Sequence, residues 1–584
     1  MLRSGHGAAL AGTRFVGPFT AALEVLRAAG VPFLPGEDRL RPARLLALFR
    51  EDLRLEHFDL PLLRETRGWN EAFASAISDL EAAGLSPADL PADAPQARDL
   101  ALLWKRVATE AGASFSRARV HLEAAALLAH DRRAWPFDGP ALALATGHED
   151  VAQARFVTAI PDVALALRSA RPLRARFLER VATLFGAEAR ALLERAGEEP
   201  APPRTERDRL ASFLFADPRA LAGPGRPAGP GPDGTVDLEE HAGVEAELEA
   251  TATWVSRQVL EASRPLEEIA VLVPVQDPLA QFVADRLSRL RLDGAPLPVY
   301  VAGGLPATAG AAGARVLAVL RALALHLRAD ALAAVIPALR LDGDDRNHLT
   351  HGEAMELAYG LGTVGGNAAH PEGALDWSKR AAARLAELEA ALRHARADED
   401  SAAREVRRLE RTLGNLRAVR PALDALVGVA RAVVAGAPLA TIRDALAAFF
   451  ERWLLAPGEG ASIPPRLVES LAPACAGPLG EGLAGEAALE VVEEHLFSLR
   501  VPRGRFGEPA VYVGTVHGAV GLEFEAVRVV GLSEGALPSR PSEDPVLPER
   551  AREALEKAAR GCVLPRADDR VAAQLQGLVA AVRA

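Results

Sequence analysis

The chain has 584 residues, enough for about three or four domains that each bury a core of their own. A formal charge of −11 excludes a protein that coats nucleic acid through its overall field, so any contact with a polyanion has to use local patches. Only Cys475 and Cys562 are present, which excludes a disulfide scaffold and fits a reducing cytosol. No run reaches the roughly twenty apolar residues needed to span a bilayer, and the amino terminus lacks the pattern of a secretory leader, so a soluble cytoplasmic protein is expected. Nearly half the residues are apolar, aromatic residues are few, and alanine, leucine and arginine dominate, which favours helix as the majority state.

Residues 1–216 read as a helical region with a partial sheet. From 40 to 130 the pattern is a succession of amphipathic helices, with Trp69, Phe73, Ile77 and Leu80 spaced to form one apolar stripe ahead of Gly84. Ala141 to Thr146 reads as a strand leading into Gly147-His148-Glu149-Asp150. His148, Glu149 and Asp150 have metal-ligand types, but without further partners a capped turn is the expected arrangement. Arg168, Arg171, Arg174, Arg176 and Arg180 have few acidic neighbours in sequence and form a candidate phosphate-facing surface.

Residues 217–234 contain Gly223-Pro-Gly-Arg-Pro-Ala-Gly-Pro-Gly-Pro-Asp-Gly234, which sustains neither helix nor strand and reads as a linker. An αβ rhythm follows over 235–309: a strand near Thr235 to Leu238, an acidic helix with Glu245, Glu247 and Glu249, the strand Ile269 to Val273, a helix through Leu290, and Val299 to Gly304. Strand signals nearly vanish over 310–480, where helices dominate. Two long helices from Trp377 to Leu416, with heptad-like leucines and mixed charge, suit an antiparallel arm. Arg404, Arg407, Arg408, Arg411, Arg417 and Arg420 recur there beside Glu405 and Glu410, and read as a solvated helix laced with ion pairs or as a basic patch. His348 and His351, near Glu353, read as surface histidines.

Over 481–584 strand character returns, and with it the most informative stretch. Between Val511 and Pro538 two β-branched apolar runs flank a glycine-rich crook that holds Thr515, His517, Gly518, Gly521 and Glu523. Polar residues at a strand end occupy the place where open α/β sheets bind nucleotides and phosphates, although an ordinary buried βα connection has the same periodicity.

Thr515-Val-His-Gly-Ala-Val-Gly-Leu-Glu-Phe524 resembles motif V of UvrD-like superfamily 1 helicases. Its continuation, Gly531-Leu-Ser-Glu-Gly-Ala-Leu-Pro538 with Glu543-Asp-Pro-Val-Leu547, resembles AddB-type subunits of helicase-nuclease complexes. Gly68 to Gly84 looks like the amino-terminal region of the same family. The resemblance implies that Thr515 and His517 lie near a DNA backbone and that Gly521 and Glu523 belong to a vestigial nucleotide site. It also implies DNA and an AddA-like helicase-nuclease subunit as partners, and ATP with Mg as cofactors of the full family. The arginines Arg168, Arg171 and Arg174 join Thr515 and His517 as candidate DNA contacts.

The chain departs from the pattern where charge matters. Val520 stands where active motors of the family carry lysine, and Pro274, in Ile269-Ala-Val-Leu-Val-Pro-Val-Gln-Asp277, stands where an arginine faces the nucleotide. Lys105, Lys379 and Lys557 are the only lysines; none follows a glycine, so no phosphate-cradling Gly-Lys-Ser/Thr loop exists. The residues two places before them are Leu103, Trp377 and Leu555, so the Asp/Glu-x-Lys element of the family's nuclease is missing as well. Two distant cysteines cannot hold the four-cysteine iron-sulfur cluster of some AddB-type proteins. A shortened protein would account for these departures as well as a degenerate one.

The expectation is a helix-rich α/β protein. A RecA-like parallel-sheet domain (235–309 and 481–584) is split by a helical insertion (310–480) and preceded by the amino-terminal helical region. Its role would be AddB-like engagement of DNA in double-strand break repair, without ATP hydrolysis or cleavage of its own and with no catalytic or metal-binding residue assigned. The competing expectation is a protein-interaction scaffold of helicase-like shape with no nucleic-acid site.

Overall fold

The computed structural model describes residues 14–167, 173–198, 203–215, 231–341, 347–397, 403–456, 458–540 and 542–583. The chain forms two compact units, one made of residues 1–302 with 504–584 and the other of 303–503. The second unit encloses the expected 310–480 segment and extends past it on both sides. The first unit joins the amino-terminal region to 235–302 and 504–584, whereas 303–309 and 481–503 of the expected sheet segments fall in the second unit.

In the first unit the stripe at 69–80 lies on helix α1 (Trp69–Ala82), where Phe73, Ile77 and Leu80 are completely buried and Trp69 is partly so. Gly84, at φ +77°, ends the helix, and Leu85 N–H donates back to Leu80 O across the left-handed turn. Strand β1 (Ala141–Ala145) follows helix α2 (Arg117–His130) and pairs in parallel with β2 (Val163–Leu167) through helix α3 (Val151–Ala159). Helix α4 (Ala175–Phe185) lies beyond. Of the expected linker at 217–234, residues 217–230 fall outside the described residues. Its end is pinned: Asp233 and Thr235 accept hydrogen bonds from the backbone N–H groups of Glu206 and Arg207, at the start of the helix Glu206–Phe213.

No strand forms at Thr235–Leu238, contrary to expectation. Leu238 is 90% exposed there, and Asp237, Glu239 and Glu240 around it leave no apolar face to bury, so a strand has nothing to pack against. The acidic helix α5 (Val244–Leu260) and strand β3 (Ile269–Val273) do form, and every residue of β3 is buried. Strand β4 (Val299–Pro306) follows the helix Leu279–Leu287.

Among its described residues the second unit is mainly helical, its strands being the end of β4 and β5 (Arg500–Arg503). Ala307 N–H donates to Leu499 O while Gly304 faces Val501, so β5 runs antiparallel to the end of β4. Helices α6 (Asp376–Ala397) and α7 (Ala403–Val434) form the arm. Arg396 meets Glu410 and Arg417 meets Glu389, pairings that fix the two helices as antiparallel and place these arginines in ion pairs. Arg408 pairs with Glu405 and Arg420 with Asp424 on the same helix. His348 and His351 are exposed, and Glu353 closes a capping box with Thr350.

The chain re-enters the first unit through β6 (Val511–Thr515) and β7 (Ala526–Val529). The five strands lie in the order β7-β3-β6-β4-β5, and β7, β3, β6 and β4 are mutually parallel. Burial of β3 on both faces is what a parallel sheet requires. The return ends with helices α8 (Glu549–Ala558) and α9 (Ala567–Arg583). Among the described residues no helix is long and apolar enough to cross a membrane.

Candidate functional site

The crook grows from the carboxyl end of β6. Val516 N–H still bonds to Val273 O of β3, after which the chain leaves the sheet. Thr515 Oγ1 accepts from Gly518 N–H at 3.0 Å, and Ala519 N–H reaches Thr515 O, so Thr515 caps one helical turn. Val516 and Ala519 point into the apolar cluster with Leu272, Tyr512 and Ala581, which turns His517 and Gly518 outward. Gly521 at φ +90° reverses the chain, as a residue without Cβ does at little cost, and Glu523 emerges exposed. Glu525 N–H then rejoins the sheet at Glu268 O.

Helix α9 lies against this turn. A Cβ at Gly577 would come within 3.1 Å of His517 N and 3.2 Å of its Cα, so a side chain there would press on the turn. The adjacent Gln576 is almost fully buried and its Oε1 lies 2.6 Å from His148 Nε2. His148 stands at the carboxyl end of β1, in a turn built by its neighbours. Glu149 accepts from Thr146 N–H and Gly147 N–H, Asp150 caps α3 by accepting from Gln153 N–H, and Gly147 at φ +86° leaves room for Phe177. The capped turn expected for this segment is what forms. Arg180 holds it from behind, donating to Glu149 O at 2.6 Å and to His148 O at 3.3 Å.

These elements line a half-open chamber of about 360 Å³. The β1 and β2 ends contribute Thr146, His148 and Leu167; the crook contributes His517 and Val520 to Glu523; one face of α9 contributes Ala573, Gln576, Gly577, Ala580 and Arg583. The imidazoles of His148 and His517 meet edge to face with centroids 6.0 Å apart. Burial pushes the His148 pKa below the usual histidine range; Arg180 and His517 add to that shift, and the bond to Gln576 opposes it.

Of the residues singled out in the sequence, His517, Gly521 and Glu523 line the chamber, whereas Thr515 lies beneath it with its hydroxyl in the cap. Arg174 is exposed at the start of α4, away from the chamber lining, and Arg168 and Arg171 lie outside the described residues. Arg176 and Arg180, read with them as a phosphate-facing group, are instead directed inward. Arg176 bonds Glu556 through both terminal nitrogens and Asp569 at 2.9 Å. Burial opposes its charge, but the bonds to Glu556 and Asp569 outweigh that and raise its pKa. Arg180 also lies 3.9 Å from Asp569. Those carboxylates come from the far end of the chain, so the local scarcity of acidic residues was misleading.

His148, Gln576, Gly577 and Arg583 were missed as site residues. The spacing of Ala573, Gly577 and Ala580 on one helical face was the available signal, since small residues at that period allow a helix to approach another backbone. No family model matches this chain, and no curated protein matches it.

Proposed function

We propose that this chain is an AddB-like component of a helicase-nuclease acting in double-strand break repair and recombination, which engages DNA without hydrolysing ATP or cutting DNA itself. In this reading the parallel strands β7, β3, β6 and β4 are a RecA-like second motor domain, interrupted by the helical unit, and an AddA-like partner carries the chemistry. The observation that carries the reading is the string Thr515 to Phe524 at the carboxyl end of a parallel strand, with His517 and Glu523 exposed there. Val520 and Pro274, in place of cations, support engagement without triphosphate chemistry. ATP and Mg would belong to the complete assembly.

The test is a filter-binding titration of the full chain with tailed duplex DNA over a range of salt, together with ATP turnover with and without DNA. Affinity that falls steeply with salt is the expected result, because neutralised phosphates release counterions. Absence of salt-dependent binding overturns the proposal in favour of an interaction scaffold without a nucleic-acid site. The close packing of Gly577 on His517 is the feature that favours that second reading. Robust ATP hydrolysis by the purified chain would overturn the assignment of chemistry to a partner.

A further inference from the structure

We propose that the chamber between the crook and α9 accepts a single nucleobase from an unpaired strand rather than a chain of phosphates; this rests on the preceding reading of the crook as an element that engages DNA. The charges argue first. Arg583 and Glu523 at the chamber are one cation and one anion, and no lysine lines it, so the two charges cancel and no excess positive charge is left to offset a polyphosphate. A neutral ring meets no such penalty.

Size and surface argue next. About 360 Å³ falls at the small end of the range for small-molecule sites, roughly 300–1,000 Å³. Leu167, Val520 and Leu522 give apolar walls, Ala580 keeps the helix side low, and the His517 ring offers a flat face for a base to stack on. The groups able to read a base edge are free while the supporting ones are committed. Among the described residues no hydrogen bond or ion pair engages the side chains of His517, Glu523 or Arg583. Thr146 and Gln576, by contrast, are held by Glu149 and His148 and act as fixed walls. A carboxylate accepts from an exocyclic amino group, and a guanidinium donates to a ring nitrogen or carbonyl or stacks on the ring, so the free set suits a base that carries both donors and acceptors.

The experiment titrates the full chain with a short single-stranded DNA in which an abasic site or 2-aminopurine is moved through successive positions. One position should respond to both: the abasic site weakens binding about tenfold or more, and the 2-aminopurine fluorescence changes on binding. His517→Ala and, separately, Ala580→Leu, which fills the chamber, should each remove that position dependence. His517 is exposed, so its variant remains informative should the filled chamber unfold. Strands that bind equally well with an abasic site at every position overturn the base-binding chamber and leave the DNA reading standing. Failure of the intact strand to bind overturns both. Free nucleosides that saturate the chamber in the absence of any strand would assign it to a small molecule and overturn the strand assignment.

Discussion

The crook at 515–525 and the segment at 543–569 lie close together in sequence, yet the structure uses them in opposite ways. In the crook the charged and imidazole groups face outward, and His517 and Glu523 are exposed. In the downstream segment Arg552 and Asp569 turn inward. Arg552 is 1% exposed and donates to Asp544 at 2.7 Å, to Asp79 of α1 at 2.8 Å, and to the carbonyls of Leu547 and Pro565. Val546, Leu547, Leu555 and Leu564 join the same core as Phe73, Ile77 and Leu80, across more than four hundred residues of sequence. Neighbouring segments therefore divide into exposed polar groups and groups that hold the scaffold, and burial separates the two.

The comparison is broken most directly at Arg552. Arg552→Ala leaves the carboxylates of Asp79 and Asp544 facing each other without their shared cation, and the Leu547 and Pro565 carbonyls without a donor. Loss of one partner from a buried ionic network costs about 3–5 kcal/mol. Burial already raises the Asp79 pKa despite Arg552, so removal of the guanidinium moves it further up. Urea unfolding should show the first unit melting well before the second; a loss near zero would mean that the segment is held by its apolar contacts alone.

Two histidines sharpen the same contrast. His121 is fully buried on α2, between Phe19 and Phe156, and no described residue bonds either of its ring nitrogens. Burial lowers its pKa from 6.5 to about 4, with a further push from Arg117. The unfolded chain thus binds the proton first. The contribution of this residue to stability is complete above pH 6.5, declines as the pH falls toward 4, and is flat below that. The full swing is about 3 kcal/mol at 1.36 kcal/mol per unit. His121→Leu should remove that slope without loss of stability at neutral pH, since it removes two unsatisfied atoms. Unfolding midpoints of both proteins between pH 7.5 and 4.5 measure it, and parallel profiles would refute the assignment. His517, by contrast, lies exposed on the crook.

Legibility in the sequence follows the same division. Local period and local chemistry revealed the α1 stripe, strand β3, the capped turn before α3 and the crook, because each is decided by neighbours a few residues away. The network around Arg176, Arg180 and Arg552 was not legible, since its carboxylates arrive from distant segments, and a basic cluster looks free until they do. The strand expected at Thr235–Leu238 failed for the related reason that intrinsic preference needs a face to bury. In the chamber, the crook side was readable from its residue types. The α9 side was not, because Gln576 and Gly577 act through approach and position rather than through reactive groups.

Glycines give a smaller test of where backbone contact decides. On the exposed side of α7, Gly414 has nothing within 4 Å of an added Cβ, so Gly414→Ala should stabilise the second unit by up to about 1 kcal/mol through helix propensity. Gly577→Ala has the same intrinsic gain, but its Cβ would press on His517 N and Cα, which belong to a capped turn fixed to β6. The gain should be cancelled or reversed by about 1 kcal/mol. Equal stabilisation by both substitutions would show that α9 shifts freely on the crook.

The smallest effect is the most discriminating. His517→Ala removes an exposed ring that makes no hydrogen bond among the described residues, and surface changes of this kind lie within about 0.5 kcal/mol. Its neighbour His148 keeps the bond to Gln576, so the chamber wall stays in place. A change in strand binding at unchanged stability would therefore locate the loss at the ring itself, and Arg552→Ala cannot make that distinction because it disturbs the scaffold beneath. Should His517→Ala lower stability by more than about 1 kcal/mol, the ring would be a structural contact of α9, and the crook would belong with the downstream segment as part of the frame.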